Sequence, residues 1–190
     1  MTDAAPQRDE RNRAFVALEL EARTREAIGV LQARLRGAKG LRLVRPEGVH
    51  LTLRFLGGSA PAPLEALAPR LASAAAACPP FEARLGGLGL FPERGAPRVL
   101  WLGIELPPRA LELQRACELA ARASGFERED RAFAPHLTLG RWRERAPRPS
   151  LEPVELGATR IESLVLFRSE TRPDGAVYTP LRLFPLGARG

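Results

Sequence analysis

The chain is short of the residues that most often carry chemistry or fix a fold. Its 190 residues include two histidines, two cysteines, one tyrosine and one methionine. Lys39 is the only lysine, so nearly all of the 29 basic side chains are arginines. No long apolar run is present, and stretches such as 99–106 are far too short to span a bilayer. Each shortage excludes something. Cys78 and Cys117 lie far apart and form no CxxC, so a disulfide framework is out of reach. They read as buried free thiols of a reducing compartment. Neither lies near a histidine, so a zinc site lacks its three or four ligands. A two-histidine metal site would have to borrow a distant carboxylate. The opening MTDAAPQRDERNR is polar and has no apolar signal region. The expected location is the cytoplasm, with no membrane contact and a monomer as the default state.

What is present points to a globular domain with a polyanionic partner. Hydrophobic residues make up 45%, enough for a core. The net charge of +7 favours nucleic acid or a phosphorylated small molecule. The excess of Arg over Lys, beside many Ala, Gly and Pro, is also a compositional bias, so charge alone carries little.

Residues 1–12 read as a flexible tail, and 13–190 as one domain. Patterning predicts strands over 13–20, 50–56, 81–91, 98–106 and 133–141, with a final hairpin of 162–171 and 177–186 turning at Pro173-Asp174-Gly175. Helices are predicted over 21–35, 63–77 and 108–124, with Gly37 and Gly125 just beyond two of them. Segment 39–47 reads as a loop or short strand. Segment 142–158, rich in Arg, Pro and Glu, reads as a surface loop.

One internal repeat stands out. His-Leu-Thr-Leu occurs at 50–53 and again at 136–139, an offset of 86 residues. The same offset lays Phe15-Val16-Ala17-Leu18-Glu19-Leu20 on Trp101-Leu102-Gly103-Ile104-Glu105-Leu106, with Glu and Leu identical at the end. This is the pattern of a duplicated unit of strand, helix, loop and HLTL strand. The expected fold is α+β and bilobal: two antiparallel sheets, helices outside, and a central cleft on a pseudo-two-fold axis.

Side chains alternate across a strand, so His50, Thr52 and Arg54 should share one face, and His136, Thr138 and Gly140 another. The leucines between them would bury. Imidazole titrates near pH ~6.5, so one histidine can be neutral while the other is protonated, as acid–base catalysis requires. The threonine hydroxyls would hold phosphate oxygens. Arg54 and Arg141 are candidate phosphate contacts, since the guanidinium fork donates two hydrogen bonds at once. Phe15 and Trp101 either stack on substrate bases or pack between the lobes.

By these motifs the chain resembles the two-histidine phosphoesterase superfamily, and within it the RNA 2′,3′-cyclic phosphodiesterases, also called 2′-5′ RNA ligases. The likeness rests on His50-Leu-Thr-Leu-Arg-Phe-Leu-Gly57 and Pro135-His-Leu-Thr-Leu-Gly-Arg141, and extends to RAFVAL, to Phe91-Pro92…Pro97-Arg98-Val99-Leu100-Trp101 and to Gly175…Tyr178. It implies hydrolysis of RNA 2′,3′-cyclic phosphate ends to 2′-phosphomonoesters, with 2′-5′ ligation of tRNA halves as the reverse chemistry. It implies no metal and no nucleotide cofactor. It also implies His136 as the base that activates water and His50 as the acid. Two other readings stay open: a phosphodiesterase for a small cyclic phosphate or 2′-5′ oligonucleotide, and a non-catalytic module that binds RNA ends.

Overall fold

The computed structural model describes residues 13–172 and 175–187. The expected tail at 1–12 and the hairpin tip at Pro173-Asp174 lie outside the described residues. In chain order the elements are β1 (Arg13–Leu18), α1 (Ala22–Leu35), β2 (Leu41–Leu43), a 3-10 turn (Pro46–Gly48), β3 (Leu51–Gly58), α2 (Pro61–Ala77), β4 (Phe81–Phe91), β5 (Val99–Glu105), α3 (Pro108–Ala123), β6 (His136–Trp142), β7 (Glu155–Ile161), β8 (Ser163–Arg172) and β9 (Gly175–Pro185).

The strands form one antiparallel sheet in the order β7-β4-β5-β6-β3-β1-β8-β9, with β2 lying on β6. The repeat predicts two sheets; the described strands instead form one continuous sheet with two halves. They meet at β3 and β6, and the register there is a single pair, Leu51 opposite Leu137. Away from that pair the halves part. From Gly140 onward β6 is taken by β2 instead, with Leu43 opposite Gly140 and Arg42 opposite Arg141. Counted outward from the seam, each half runs HLTL strand, first strand, and two more. The pairing registers nevertheless differ: Ala17 faces Thr52, whereas its repeat counterpart Gly103 faces His136.

All three helices cover one face of the sheet. Their buried stripes follow helical spacing, such as Ala110, Leu113, Cys117, Ala120 and Ala121 on α3. These pack with Val16, Leu18, Leu51, Leu53, Leu137 and Leu139 into one core. Two helices pack across the seam from their own strands. α1 follows β1 but rests against β7, where the Thr24 hydroxyl donates to Thr159 at 2.9 Å. α3 follows β5 but rests against β3. This exchange ties the halves into one cooperative unit. The open face carries a smaller cluster of Phe15, Ala17, Val165 and Phe167.

Two expectations need correction. Segment 142–158 is not all loop, because β7 begins at Glu155 and adds to the free edge of β4. It is an edge strand interrupted by Gly157 at φ 79°, so its side chains alternate poorly and the sequence hides it. The second correction concerns Arg54. Between Ala17 and Val16 the partners on β3 jump from Thr52 to Arg54, so Leu53 is an extra, bulged residue. The bulge breaks the period of two. Arg54 turns to the helix side, 6% exposed, and Phe55 takes its place on the open side. The Arg54 Nε lies 2.5 Å from Glu118 of α3, and its terminal nitrogens donate to the carbonyls of Phe55 and Glu127. The guanidinium thereby ties β3 to α3 and the loop after it, and the residue still borders the cleft that holds both histidines.

Removing one partner of such a pair strands the other. Arg54→Ala and Glu118→Ala are each expected to cost about 3 kcal/mol, and the double variant clearly less than their sum. Thermal melts check this, with the melting temperature dropping ~2–4 °C per kcal/mol for a chain of this size. An Arg54→Ala protein with an unchanged melting temperature and a raised KM would show that the guanidinium serves substrate instead.

Candidate active site

His50 sits immediately before β3 and His136 opens β6. Because Leu51 faces Leu137 in an antiparallel register, continuing that register lays His50 across from Thr138 and Thr52 across from His136. All four side chains lie on the face opposite the leucines. The local backbone also treats the two imidazoles alike. His50 Nδ1 is 2.8 Å from the Gly48 carbonyl, and His136 Nδ1 is 2.8 Å from the Ala134 carbonyl. A carbonyl only accepts, so each Nδ1 carries the hydrogen and each Nε2 is left for a ligand.

Both histidines, both threonines and Arg141 line one cleft of about 1060 Å³. Arg141 is there because of a second bulge. On β6 the partners jump from Thr138 to Gly140 between Trp101 and Leu100, so Leu139 is the extra residue. Strict alternation would have turned Arg141 away from His136. The bulge turns it toward the cleft and puts Gly140 against β2, where a Cβ would lie 2.8 Å from Leu41 Cδ1 and 2.9 Å from the Arg42 carbonyl. Leu53 and Leu139 are the same position of the repeat, so one device exchanges Arg54 for Phe55 in the first half and brings Arg141 in on the second.

The surroundings of the two histidines differ. The His50 ring stacks on Phe15 at 4.7 Å, meets Tyr178 edge-on at 5.0 Å, and has Phe167 at 5.9 Å. Burial among these rings pushes its pKa down to about 4, with the Arg141 and His136 charges adding and the Gly48 carbonyl opposing. His136 meets Phe91 edge-on at 5.1 Å. The Tyr178 phenol is raised above its ordinary pKa by burial, so it faces the cleft protonated at neutral pH.

The two predicted aromatics fare differently. Phe15 is in the cleft wall but 3% exposed, packed beneath His50 rather than open to a base. Trp101 does not line the cleft. Its indole lies flat over Gly89, where any Cβ would collide with the ring, and against Phe91 at 5.4 Å. Its Nε1 is buried with no hydrogen-bond acceptor among the described residues. Sequence patterning missed Phe55, Phe91 and Tyr178, all of which line the cleft. Phe55 is 53% exposed, the most exposed ring of the cleft wall. Only a bulge after Thr52 would have revealed it. No three His, Cys, Asp or Glu side chains gather into a metal-sized group among the described residues.

Comparison with known proteins agrees with this geometry. The family model of LigT-like phosphoesterases matches residues 18–101. An RNA 2′,3′-cyclic phosphodiesterase of Methanothermobacter thermautotrophicus is 34% identical, over 92% of this chain and 98% of its own length. One from Thermus thermophilus is 39% identical, over 92% and 90%. The crystal structure of a Thermus thermophilus protein superposes with a TM-score of 0.83 at 34% identity, covering 94% of this chain and 100% of that one. Escherichia coli LigT in complex with 3′-AMP superposes with a TM-score of 0.80 at 29% identity, covering 94% and 100%. The paired HLTL strands, the cleft they frame and these likenesses over nearly the whole chain together show that the protein belongs to the LigT-like phosphoesterase family.

Proposed function

We propose that the protein hydrolyses RNA 2′,3′-cyclic phosphate ends to 2′-phosphomonoesters. The observation that carries this reading is the quartet of His50, Thr52, His136 and Thr138 in one cleft beside Arg141, each imidazole with its Nε2 free. Relatives at 30% identity or more named RNA 2′,3′-cyclic phosphodiesterase, and a neighbour that holds 3′-AMP, support the substrate class. The cyclic phosphate lies between the imidazoles, its free oxygens on the threonine hydroxyls and the Arg141 guanidinium. His136 Nε2 takes a proton from water as its oxygen attacks phosphorus. The P–O3′ bond breaks, and His50 Nε2 gives its proton to O3′. The result is a 2′-phosphate and a 3′-hydroxyl, and two protonation states that water exchange restores. Run backward with an RNA hydroxyl in place of water, the same groups make a 2′-5′ linkage, for which tRNA halves are the candidate partners. The expected setting is a cytoplasmic monomer; no helix among the described residues is long and apolar enough to cross a membrane.

An acid that rests near pKa 4 must be charged by its substrate. The free His50 is neutral at pH 6 because burial, Arg141 and His136 all disfavour its cation. An anionic phosphate between the imidazoles answers the Arg141 charge and gives the His50 cation a partner, so the bound pKa rises. Binding therefore takes up a proton in the window above pH 4.

Two measurements test the reading. His50→Ala and His136→Ala should each lower kcat by about 10²–10⁴-fold with the product isomer unchanged, and EDTA should leave the wild-type rate intact. Activity lost to chelator and restored by zinc overturns the metal-independent mechanism. Separately, calorimetric titration of dimethyl phosphate, a diester anion that carries no proton near pH 6, in buffers of different ionisation enthalpy at pH 6 should show proton uptake, abolished in His50→Gln. Proton release, or uptake that survives in His50→Gln, contradicts the acid role.

A further inference from the structure

The bulge that aims Arg141 at the cleft is held from the helix side of the sheet. A bulged residue leaves the ladder, so its backbone groups must find partners elsewhere. The Leu139 carbonyl accepts the Val44 N–H at 2.8 Å and the Gln32 Nε2 at 3.0 Å. The same Nε2 gives its second hydrogen to the Val44 carbonyl at 2.7 Å. Both lone pairs of the bulged carbonyl are thereby filled, and both amide hydrogens are spent on backbone. Gln32 is 4% exposed and does not line the histidine cleft. The first half repeats the device, since the Leu53 carbonyl accepts the Nε2 of Gln114 at 3.4 Å. Each amide comes from the helix of the opposite half, α1 for the bulge on β6 and α3 for the bulge on β3.

The residue that follows each bulge decides what the helix can hold. Gln32 and Glu118 are the same position of the 86-residue repeat. Glu118 takes the guanidinium of Arg54 and keeps it on the helix side. The repeat counterpart of Arg54 is Gly140, which has no side chain to take. A carboxylate at position 32 would face two carbonyls and repel both; the amide answers both. Without that amide the bulged carbonyl keeps one donor of two, and a return to strict alternation turns Arg141 toward the helices. We infer that Gln32 is a positioning residue for the reaction: it pins the Leu139 bulge and so keeps the Arg141 guanidinium on the phosphate. This rests on the proposed reading of the cleft, in which Arg141 binds the phosphate. Gln32 acts from the core, through one backbone carbonyl, and never meets the substrate.

The test is a double-mutant cycle of Gln32→Met and Arg141→Ala, read below the melting temperature of every variant. Methionine keeps the unbranched shape and removes only the donors. With a 2′,3′-cyclic mononucleotide, Arg141→Ala should lower kcat/KM by about 10- to 100-fold, the loss of a charged hydrogen bond. Gln32→Met should lower it by about 5-fold or more, and by less than about twofold once Arg141 is gone. The same cycle on the dissociation constant of inorganic phosphate needs no turnover and should show the same coupling. Gln32→Glu separates this role from folding. Its buried carboxyl donates one hydrogen when protonated and none when ionised, so its kcat/KM relative to wild type should fall from about pH 5 to pH 8. That fall should vanish in the Arg141→Ala background. Gln114→Met, which loses the amide at the other bulge, should combine independently with Arg141→Ala. Losses that multiply in Gln32→Met/Arg141→Ala, or wild-type kinetics and phosphate affinity in Gln32→Met, overturn the inference. So does a Gln114→Met effect that Arg141→Ala also silences, since the coupling would then not run through the Leu139 bulge. A wild type that turns over no cyclic phosphate overturns the proposed function, and the phosphate cycle still decides the role of Gln32.

Discussion

The backbone pairing of Leu51 with Leu137 is the point on which the site depends. It is the place where the two halves of the sheet touch, and the residues on either side of it are the two histidines and two threonines. A longer β3–β6 ladder would have closed the sheet and left no cleft. No ladder at all would have left the two HLTL motifs without a common frame. What limits the ladder is β2, which occupies β6 from Gly140 onward. β2 is held by Gln32 of α1, buried, whose Nε2 donates to the Val44 carbonyl at 2.7 Å and the Leu139 carbonyl at 3.0 Å. A buried amide with both bonds satisfied is costly to displace. The seam is thus fixed from the core side, by a residue that never sees the cleft.

The fold class was legible because apolar spacing and the 86-residue offset agreed over two strands and two motifs. The histidines and threonines were legible for the same reason: they precede the bulge on each strand, where alternation still holds. Beyond the bulge the period of two fails, so Arg54 leaves the strand face of His50 and Thr52 while still bordering the cleft. Arg141 was read from the bend that Gly140 allows and from the resemblance, and the bulge at Leu139 is the physical reason it faces the cleft. Nothing in Leu53 or Leu139 marks them as bulged; both sit in favourable strand contexts, and only the partner strand reveals the extra residue. β7 was hidden for a different reason, since an edge strand with a positive-φ glycine carries neither clean alternation nor a continuous apolar run.

Phe15 and Trp101 show how far the repeat can be trusted. The sequence aligns them, but the pairing registers of the two halves differ, by two residues at Ala17 and Gly103 and by three at Phe15 and Trp101, so the rings meet different neighbours. Phe15 ends beneath His50. Trp101 ends over Gly89, and it is Phe91, from β4, that touches His136. A duplicated sequence has therefore built one aromatic wall from its own first strand and the other from a neighbouring strand.

That difference gives two identical motifs unlike surroundings. A symmetric pair of imidazoles with equal surroundings would titrate together and leave acid and base undefined. Here His50 is enclosed by Phe15, Phe167 and Tyr178, with Arg141 adding its charge, and its cation is disfavoured in the free protein. His136 has Phe91 at its edge. The sequence repeat supplies two hydrogen-bonded imidazoles with the same tautomer; the register slip and the terminal β8–β9 hairpin, which brings Phe167 and Tyr178, supply the asymmetry. In this chain the asymmetry comes from packing around the His50 ring, not from any difference in the motif residues themselves.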